Sequence, residues 1–523
     1  MTAQAQRHYT TEAKAIPDSM EEILTATRAR IAEEQAVFDK PFSDAELLEA
    51  VMGGELGDAR LFSRLNSEKL SYDHAAGQWN EFSGHFWKED EVDGTLARLD
   101  EIIYLYAGLA RKFYSQMLAA TKAGNKDAAK GLEEIEKTVR QKIGLLQRRR
   151  HRENVLVLAA AGAPSLGISG REWDSNPYLL AFQNGILDLN TLIFRPGRPD
   201  DFLKTVCPID WLGFDASAPK WERFIYDIMA GDVKKIQYLK RLLGSSLPGE
   251  VVDHIIPILW GKNGRNGKSV LLEILGIVLG PLAGPIQAEL LLAQKYPRSS
   301  AAPSPDVMAL RGKRLVWASE IDEGRKINAG KIKWLTGADT LIGRSPFAHR
   351  EVTFKPSHIL LMITNFKPVI NPEDGALWER IHLIEFRVRF LDSPNGENQR
   401  LRNPNIANEL KEEAAGIMAW LVAGYIERKK KGLAPPASVL TATEEYKQAE
   451  DPIKQFIKEM CLVGDVRIAR ASKLYESYAA FCEDGGLKPK GKKTFFLILQ
   501  DEFIKDRDEN GIYYIGLGLK DLN

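Results

Sequence analysis

His254–Gly280 reads HIIPILWGKNGRNGKSVLLEILGIVLG. Its first seven residues are an apolar run suited to a buried strand, and VLLEILGIVLG supplies a helix. Between them Gly261–Ser269, GKNGRNGKS, places three glycines ahead of a Lys-Ser pair. Strand, glycine-rich loop, Lys-Ser and helix is the order a phosphate cradle needs. Glycines let backbone N–H groups turn towards phosphates at a helix N-terminus, a lysine neutralises the β- and γ-phosphates, and a serine holds Mg²⁺. The candidate ATP contacts are therefore Gly264, Asn266, Gly267, Lys268, Ser269 and Val270. The spacing departs from the usual GxxxxGKS or GxxxxGKT. Five residues before Gly267 stands Lys262, with glycine one place earlier at Gly261. Either the loop carries an extra residue or Gly264 makes the bend.

Three further elements follow in order. Arg314–Ser319, RLVWAS, reads as a strand with Glu320, Asp322 and Glu323 beyond its end. A nucleotide hydrolase needs a carboxylate there to polarise water and help place the metal. The metal candidates are thus Ser269, Glu320 and Asp322 with Mg²⁺. His358–Asn365, HILLMITN, is an apolar strand ending in an amide able to orient water against a γ-phosphate. Arg380 follows in Trp378-Glu-Arg-Ile, a planar cation suited to stabilise phosphate charge developing in a neighbouring subunit.

Outward from this centre, residues 250–390 alternate strand-like and helix-like runs, the mark of an α/β layer fold. Residues 1–55 form a charged N-terminal segment, and 56–218 an α+β domain ahead of the motor. In the latter, Tyr72–Glu91 reads as small hairpins, 94–152 as long helices, and Phe182–Phe194 as a hairpin bending at Asn184-Gly185. The motor is expected over 219–432, a linker over 433–450, and a last module over 451–523. That module reads as helices followed by a two-stranded wing, a winged-helix-like pattern in which Lys490, Lys492 and Lys493 would meet phosphates; the acidic residues that follow nearly cancel these lysines, so docking protein or stabilising a ring is the alternative. The fold class is α/β: an AAA+-like P-loop motor, a mainly helical N-terminal region and the winged-helix-like module.

Bulk properties set limits. Lys+Arg and Asp+Glu each total 71 in 523 residues, so any nucleic-acid contact is local rather than a broad basic coat. QRRRHR at Gln147–Arg152 reads first as a solvated helix end. Three cysteines, none in a CxxC pair, give no disulfide framework or zinc site and fit a reducing cytoplasm. No run of roughly 18 apolar residues offers a membrane span. The expected setting is cytoplasmic.

With these motifs in place, the sequence resembles the superfamily 3 helicases, specifically the phage and plasmid primase-helicases related to the poxvirus primase-helicase. The resemblance is dense through RGKRLVWASEIDEGRKINAGKIKWLTGADTLIGRSPF, FKPSHILLMITNFKP and ALWERIHLIEF. It reaches back through WNEFSGHFWKED and NPYLLAFQNGILDL, covering roughly residues 57–520. The resemblance implies a hexameric ring that moves on single-stranded DNA and unwinds forked duplex, with ATP between subunits. In it, Gly267, Lys268 and Ser269 are Walker A, Glu320 the principal Walker B acid, Asn365 the sensor and Arg380 the arginine finger. Ser319 stands where related motors often carry a second acid, which leaves Asp322 or water to support the metal. The family's DNA-gripping channel hairpin would fall in Lys331–Pro356, with Lys331, Lys333, Arg344, His349 and Arg350 as basic candidates and Phe347 for packing or base stacking. Only about 55 residues precede the resembling region, so no primer synthesis is expected and a primase would be a separate protein. The expected role is replicative, in a phage, plasmid or integrated mobile element. An ATP-regulated origin-binding or loading factor with little unwinding is the alternative.

Overall fold

The computed structural model describes residues 42–294, 302–319, 322–346, 351–484 and 489–520. They fall into two compact units, one within 42–81 and 89–170, the other within 82–88 and 171–520.

The first unit is mainly helical. Helix α1 (Asp44–Met52) opens on a capping box in which Ser43 and Glu46 satisfy each other's backbone N–H groups. Helix α2 (Gly54–Asn66) leads to strands β1 (Leu70–Asp73) and β2 (Gln78–Phe82), an antiparallel pair. Helices α3 (Asp100–Lys122) and α4 (Lys126–Leu146) pack together as a long hairpin, and α5 (Arg149–Ala161) follows. Strand β3 (Gly167–Ile168) then joins β1 in parallel. Each of four helices supplies one member of a buried polar node. Asp58 of α2 accepts from Tyr106 of α3 (2.8 Å), Lys142 of α4 (2.7 Å) and His151 of α5 (2.9 Å). A carboxylate with no solvent exposure is tolerable only with partners of this kind.

The second unit begins with an antiparallel meander of β4 (Leu179–Phe182), β5 (Gly185–Asp188) and β6 (Ile193–Arg195). Phe182 pairs with Gly185, so the bend is Gln183-Asn184, one residue earlier than expected from the sequence. Helices α6 (Pro219–Ile228) and α7 (Val233–Gly244) lead into a five-stranded parallel sheet. Its members are β7 (Ile256–Trp260), β8 (Ala283–Ile286), β9 (Leu315–Ala318), β12 (Ile359–Thr364) and β13 (Ile381–Glu385). Helix α8 (Lys268–Leu279) follows β7, and α9 (Ala329–Leu335) follows β9. An antiparallel hairpin of β10 (Leu341–Gly343) and β11 (Val352–Phe354) precedes β12.

Across the sheet the order is β13-β7-β12-β9-β8, every pair parallel. The three inner strands, β7, β12 and β9, are continuous apolar runs because both of their faces are buried. Ile256 and Ile258 enter one core with Leu360, Met362 and Leu383. Leu259, Leu361, Ile363 and Ile384 enter the other, with Leu271, Ile274 and Leu275 of α8. Period-two alternation thus serves two cores at once, each buried Ile or Leu contributing about 1.5–3 kcal/mol.

After β13 come the turn helix's sequel β14 (Arg389–Leu391) and β15 (Gln399–Leu401), a parallel ribbon, then α11 (Ala414–Lys431); the four-residue turn helix itself, α10 (Gly375–Trp378), lies between β12 and β13. The stretch 433–450, expected as a linker, holds helix α12 (Ala437–Ala449), which packs on β13 with Tyr446 fully buried. Leu433-Ala-Pro-Pro gave the loop signal, but the apolar Val439, Ala442 and Tyr446 at helical spacing outweigh it after Pro436. The last part runs α13 (Pro452–Met460), β16 (Cys461–Arg470), α14 (Ala471–Asp484), α15 (Lys492–Glu502), β17 (Ile504–Asp508) and β18 (Gly511–Leu519), with β18 central in its antiparallel sheet. The three cysteines are buried free thiols. Among the described residues no helix is long and apolar enough to cross a membrane.

Candidate nucleotide site

The loop between β7 and α8 absorbs its extra residue by coiling. Asn263, Gly264 and Arg265 are all left-handed, with φ of 63°, 65° and 54°. Asparagine and glycine adopt this region readily, whereas Arg265 does so at a cost of about 1 kcal/mol. Gly264 is the centre of the bend, so both sequence alternatives hold together. Gly261 serves close approach instead: a β-carbon there would lie 2.6 Å from Asn266 Oδ1 and 2.7 Å from Lys268 Nζ.

Lys268 opens α8 and is only 6% exposed. Its Nζ donates to Gly261 O (3.1 Å), Asn266 Oδ1 (3.3 Å) and Asn365 Oδ1 (3.0 Å). All three partners are neutral, and burial pushes the ammonium pKa down to about 8. A cation so placed gains most from an anionic ligand. Asn365 reaches it from the tip of β12, and its backbone is held as well, since Trp260 Nε1 donates to Asn365 O (3.2 Å). The Lys367 ammonium covers the same indole at 4.5 Å.

Asn266 does work that sequence reasoning did not assign. Its Nδ2 donates to Phe386 O (3.1 Å) and Val388 O (2.9 Å), and Phe390 N donates to Arg265 O (2.8 Å). The side chain therefore clamps the loop to the chain leaving β13, and its backbone is what remains to face a phosphate. Of the other expected contacts, Ser269 is exposed on the first turn of α8, and Val270 packs against the core.

Because the sheet is parallel, the C-terminal ends of β7, β9 and β12 share one edge, where open α/β sheets bind ligands. Gly261, Ser319 and Asn365 stand at those ends, and Asp322, exposed, follows shortly after β9. Glu320 lies outside the described residues. Arg380 is elsewhere. It precedes β13, its carbonyl accepts from Ile256 N, and its Nη1 donates to His254 O (3.2 Å) and Thr336 Oγ1 (3.4 Å). That is the opposite edge of the sheet, about 16 Å along β7 from Gly261. The structure does not bring Arg380 to Lys268 within one chain.

The candidate DNA contacts separate similarly. Lys331 and Lys333 are half-buried on α9, and Lys333 Nζ is paired with Asp374 (2.6 Å). Arg344 follows β10, while Phe347, His349 and Arg350 lie outside the described residues. Lys490 Nζ is paired with Glu373 (2.6 Å), and Lys492 and Lys493 are exposed at the start of α15. Two lysines chosen for phosphates thus meet consecutive acids between the tip of β12 and α10. Ion pairing with residues over a hundred apart, as for Lys490, leaves no local sequence signal.

A parallel sheet with a glycine loop after an interior strand, a buried lysine at the helix start and a polar amide on the adjoining strand tip is the layout of a P-loop domain. Comparison with known proteins places the chain further. Residues 59–230 match the family described as D5 N terminal like. A protein of Acanthamoeba polyphaga mimivirus named "Putative helicase" is 28% identical over 403 residues, covering 73% of this chain and 40% of its own length. One of the same designation from Frog virus 3 is 25% identical over 360 residues, covering 55% and 37%. A "Putative primase" of African swine fever virus is 20% identical over 307 residues, covering 55% and 31%. The chain therefore spans about two-fifths or less of the length of these relatives. The solved apo C-terminal region of NrS-1 aligns over 58% of this chain and 78% of its own at 13% identity, with a TM-score of 0.36, too low to equate the two folds. Residues 59–230 are thus similar to the D5 N terminal like family, and the chain is similar over its longer matched stretches to viral proteins named as putative helicases and primases.

Proposed function

We propose that this chain is an ATP-dependent DNA helicase motor of AAA+ type, replicative in role, working as a ring on single-stranded DNA. The observation that carries the reading is the contact between Lys268 Nζ and Asn365 Oδ1 at 3.0 Å. It joins the phosphate lysine to an amide on the strand inserted between β7 and β9, where a γ-phosphate would be sensed. Ser269, with Glu320 and Asp322 beyond β9, would hold Mg²⁺ and prime the attacking water.

The place of Arg380 supports a shared site. A residue held at the far edge of its own sheet is suited to reach a neighbour's nucleotide, which needs a closed ring, six-fold in the family it resembles. The hairpin β10–β11 suits a channel loop. The order helix, strand, helix, helix, strand, strand over 452–519 supports a winged-helix module, with Lys492 and Lys493 on the helix that would face DNA.

The test is ATP hydrolysis with and without single-stranded DNA, paired with displacement of a labelled strand from a forked duplex. The proposal expects DNA to stimulate hydrolysis, displacement to require ATP, and Lys268→Ala to abolish both. Hydrolysis without any displacement would favour the loading-factor reading instead. An absence of DNA stimulation would defeat both.

A further inference from the structure

The loop's clamp carries an arginine whose buried Nε has no acceptor among the described residues. Five arginines lie on or beside the ribbon that follows β13. Arg387 Nε donates to Glu385 (2.9 Å), and Arg265 and Arg402 lie 3.9 and 3.8 Å from Asp392. Arg400 donates to the carbonyls of Glu397 (2.7 Å) and Gln399 (2.9 Å). Arg389 alone has no side-chain partner among the described residues, and its Nε is buried. A desolvated guanidinium nitrogen without an acceptor is unfavourable, so its persistence points to an acceptor supplied from outside.

Its position limits what that acceptor is. Val388 O holds Asn266 and Phe390 N holds Arg265, so Arg389 sits between two residues bonded directly to the phosphate loop. In the sheet, β12 with Asn365 flanks β7 on one side and β13 flanks it on the other. A nucleotide whose terminal phosphate meets Lys268 and Asn365 can extend its α-phosphate and nucleoside towards the β13 side. The anionic group available there is the α-phosphate.

We propose that Arg389 is a nucleotide-binding residue acting within its own chain, its guanidinium donating to the α-phosphate of the bound nucleotide. Planar donors match phosphate oxygens well, and the contact would separate labour along the ligand. Lys268 serves the β- and γ-phosphates, Arg389 the α-phosphate, and Arg380 the γ-phosphate of the adjacent subunit. The proposal rests on reading Gly261–Ser269 as a nucleotide site and adds a residue to it.

Binding of ATP and ADP to the full chain, by calorimetry, tests this with Arg389→Gln and Arg389→Lys beside Lys268→Ala. Arg389→Gln is expected to weaken ATP and ADP alike, by about ten- to a hundredfold, because both carry the α-phosphate. Arg389→Lys should fall between. A variant that melts cooperatively and binds ADP within twofold of the unsubstituted chain overturns the assignment. Phenylglyoxal labelling of the unsubstituted chain, mapped by mass spectrometry, decides the matter if the variants do not fold. ADP should protect Arg389, and equal labelling with and without ADP overturns the proposal. If the unsubstituted chain binds no nucleotide at all, the reading of the loop itself fails, an outcome distinct from the others.

Discussion

Asn266 offers the sharpest test of how the loop is held. Replacing it with alanine removes two donated hydrogen bonds, to Phe386 O and Val388 O, and one acceptor for Lys268. The residue is only 3% exposed, so water does not readily fill its place. At about 1 kcal/mol net for each bond, the loss is about 3 kcal/mol, more if both carbonyls stay buried and unpaired. Some of that falls on the stability of the motor and the rest on the loop's preference for its binding shape. The expected outcome is a motor destabilised by about 2 kcal/mol in urea, followed by tryptophan fluorescence, and ATP affinity reduced about tenfold. Asn266→Asp separates the parts: it keeps an acceptor for Lys268 but turns a carboxylate towards two carbonyls, and should be at least as damaging to stability. An Asn266→Ala protein within 0.5 kcal/mol of the unsubstituted chain, with unchanged ATP affinity, would refute the clamp.

Other outcomes follow from the same geometry. The Lys268 pKa near 8 applies to the empty site, and phosphates would raise it. Below pH 8 the ammonium is already charged and affinity is flat with respect to this group; above it, binding must take up a proton and weakens by up to tenfold per pH unit. Titrations from pH 7 to 9.5 in buffers of different ionisation enthalpy check this, and a flat profile with no proton uptake contradicts it. Arg380→Ala should leave ATP binding within threefold while stopping hydrolysis, and mixed assemblies with Lys268→Ala subunits should recover activity only where intact pairs adjoin. Rescue by an Arg380 and a Lys268 from the same chain would place the arginine within one subunit. In the first unit, Asp58→Ala strands the buried Lys142 and should cost about 3–5 kcal/mol, read as loss of cooperative helix unfolding. A change under 1 kcal/mol would show the node to be incidental.

Much of the centre is legible because it is local. The strand, loop and helix of His254–Gly280 lie in one stretch, and the apolar tips at Ser319 and Asn365 announce themselves by composition. The contacts that complete the site are not local. Asn266 meets carbonyls 120 and 122 residues away, and a backbone carbonyl carries no residue identity to detect. Lys333 and Lys490 read as free cations because Asp374 and Glu373 approach only in the fold. The helix over 437–449 was obscured by the prolines before it, although its own apolar spacing was present. Arg389 stands out only in the fold, where the other ribbon arginines find a carboxylate or a backbone carbonyl and its buried Nε finds neither among the described residues.

The coiled turn at Asn263–Arg265 makes the length of this loop a neutral variable. Slack is taken up in the coil just ahead of Asn266, and Lys268 still reaches the Gly261 carbonyl at 3.1 Å with the longer count between them. Searches that demand a fixed spacing would pass over such loops. By the same logic, removing Gly264 with Asn263 restored to an extended conformation should yield the commoner, shorter form without moving the lysine, so that insertion and deletion here would be invisible to the chemistry they surround.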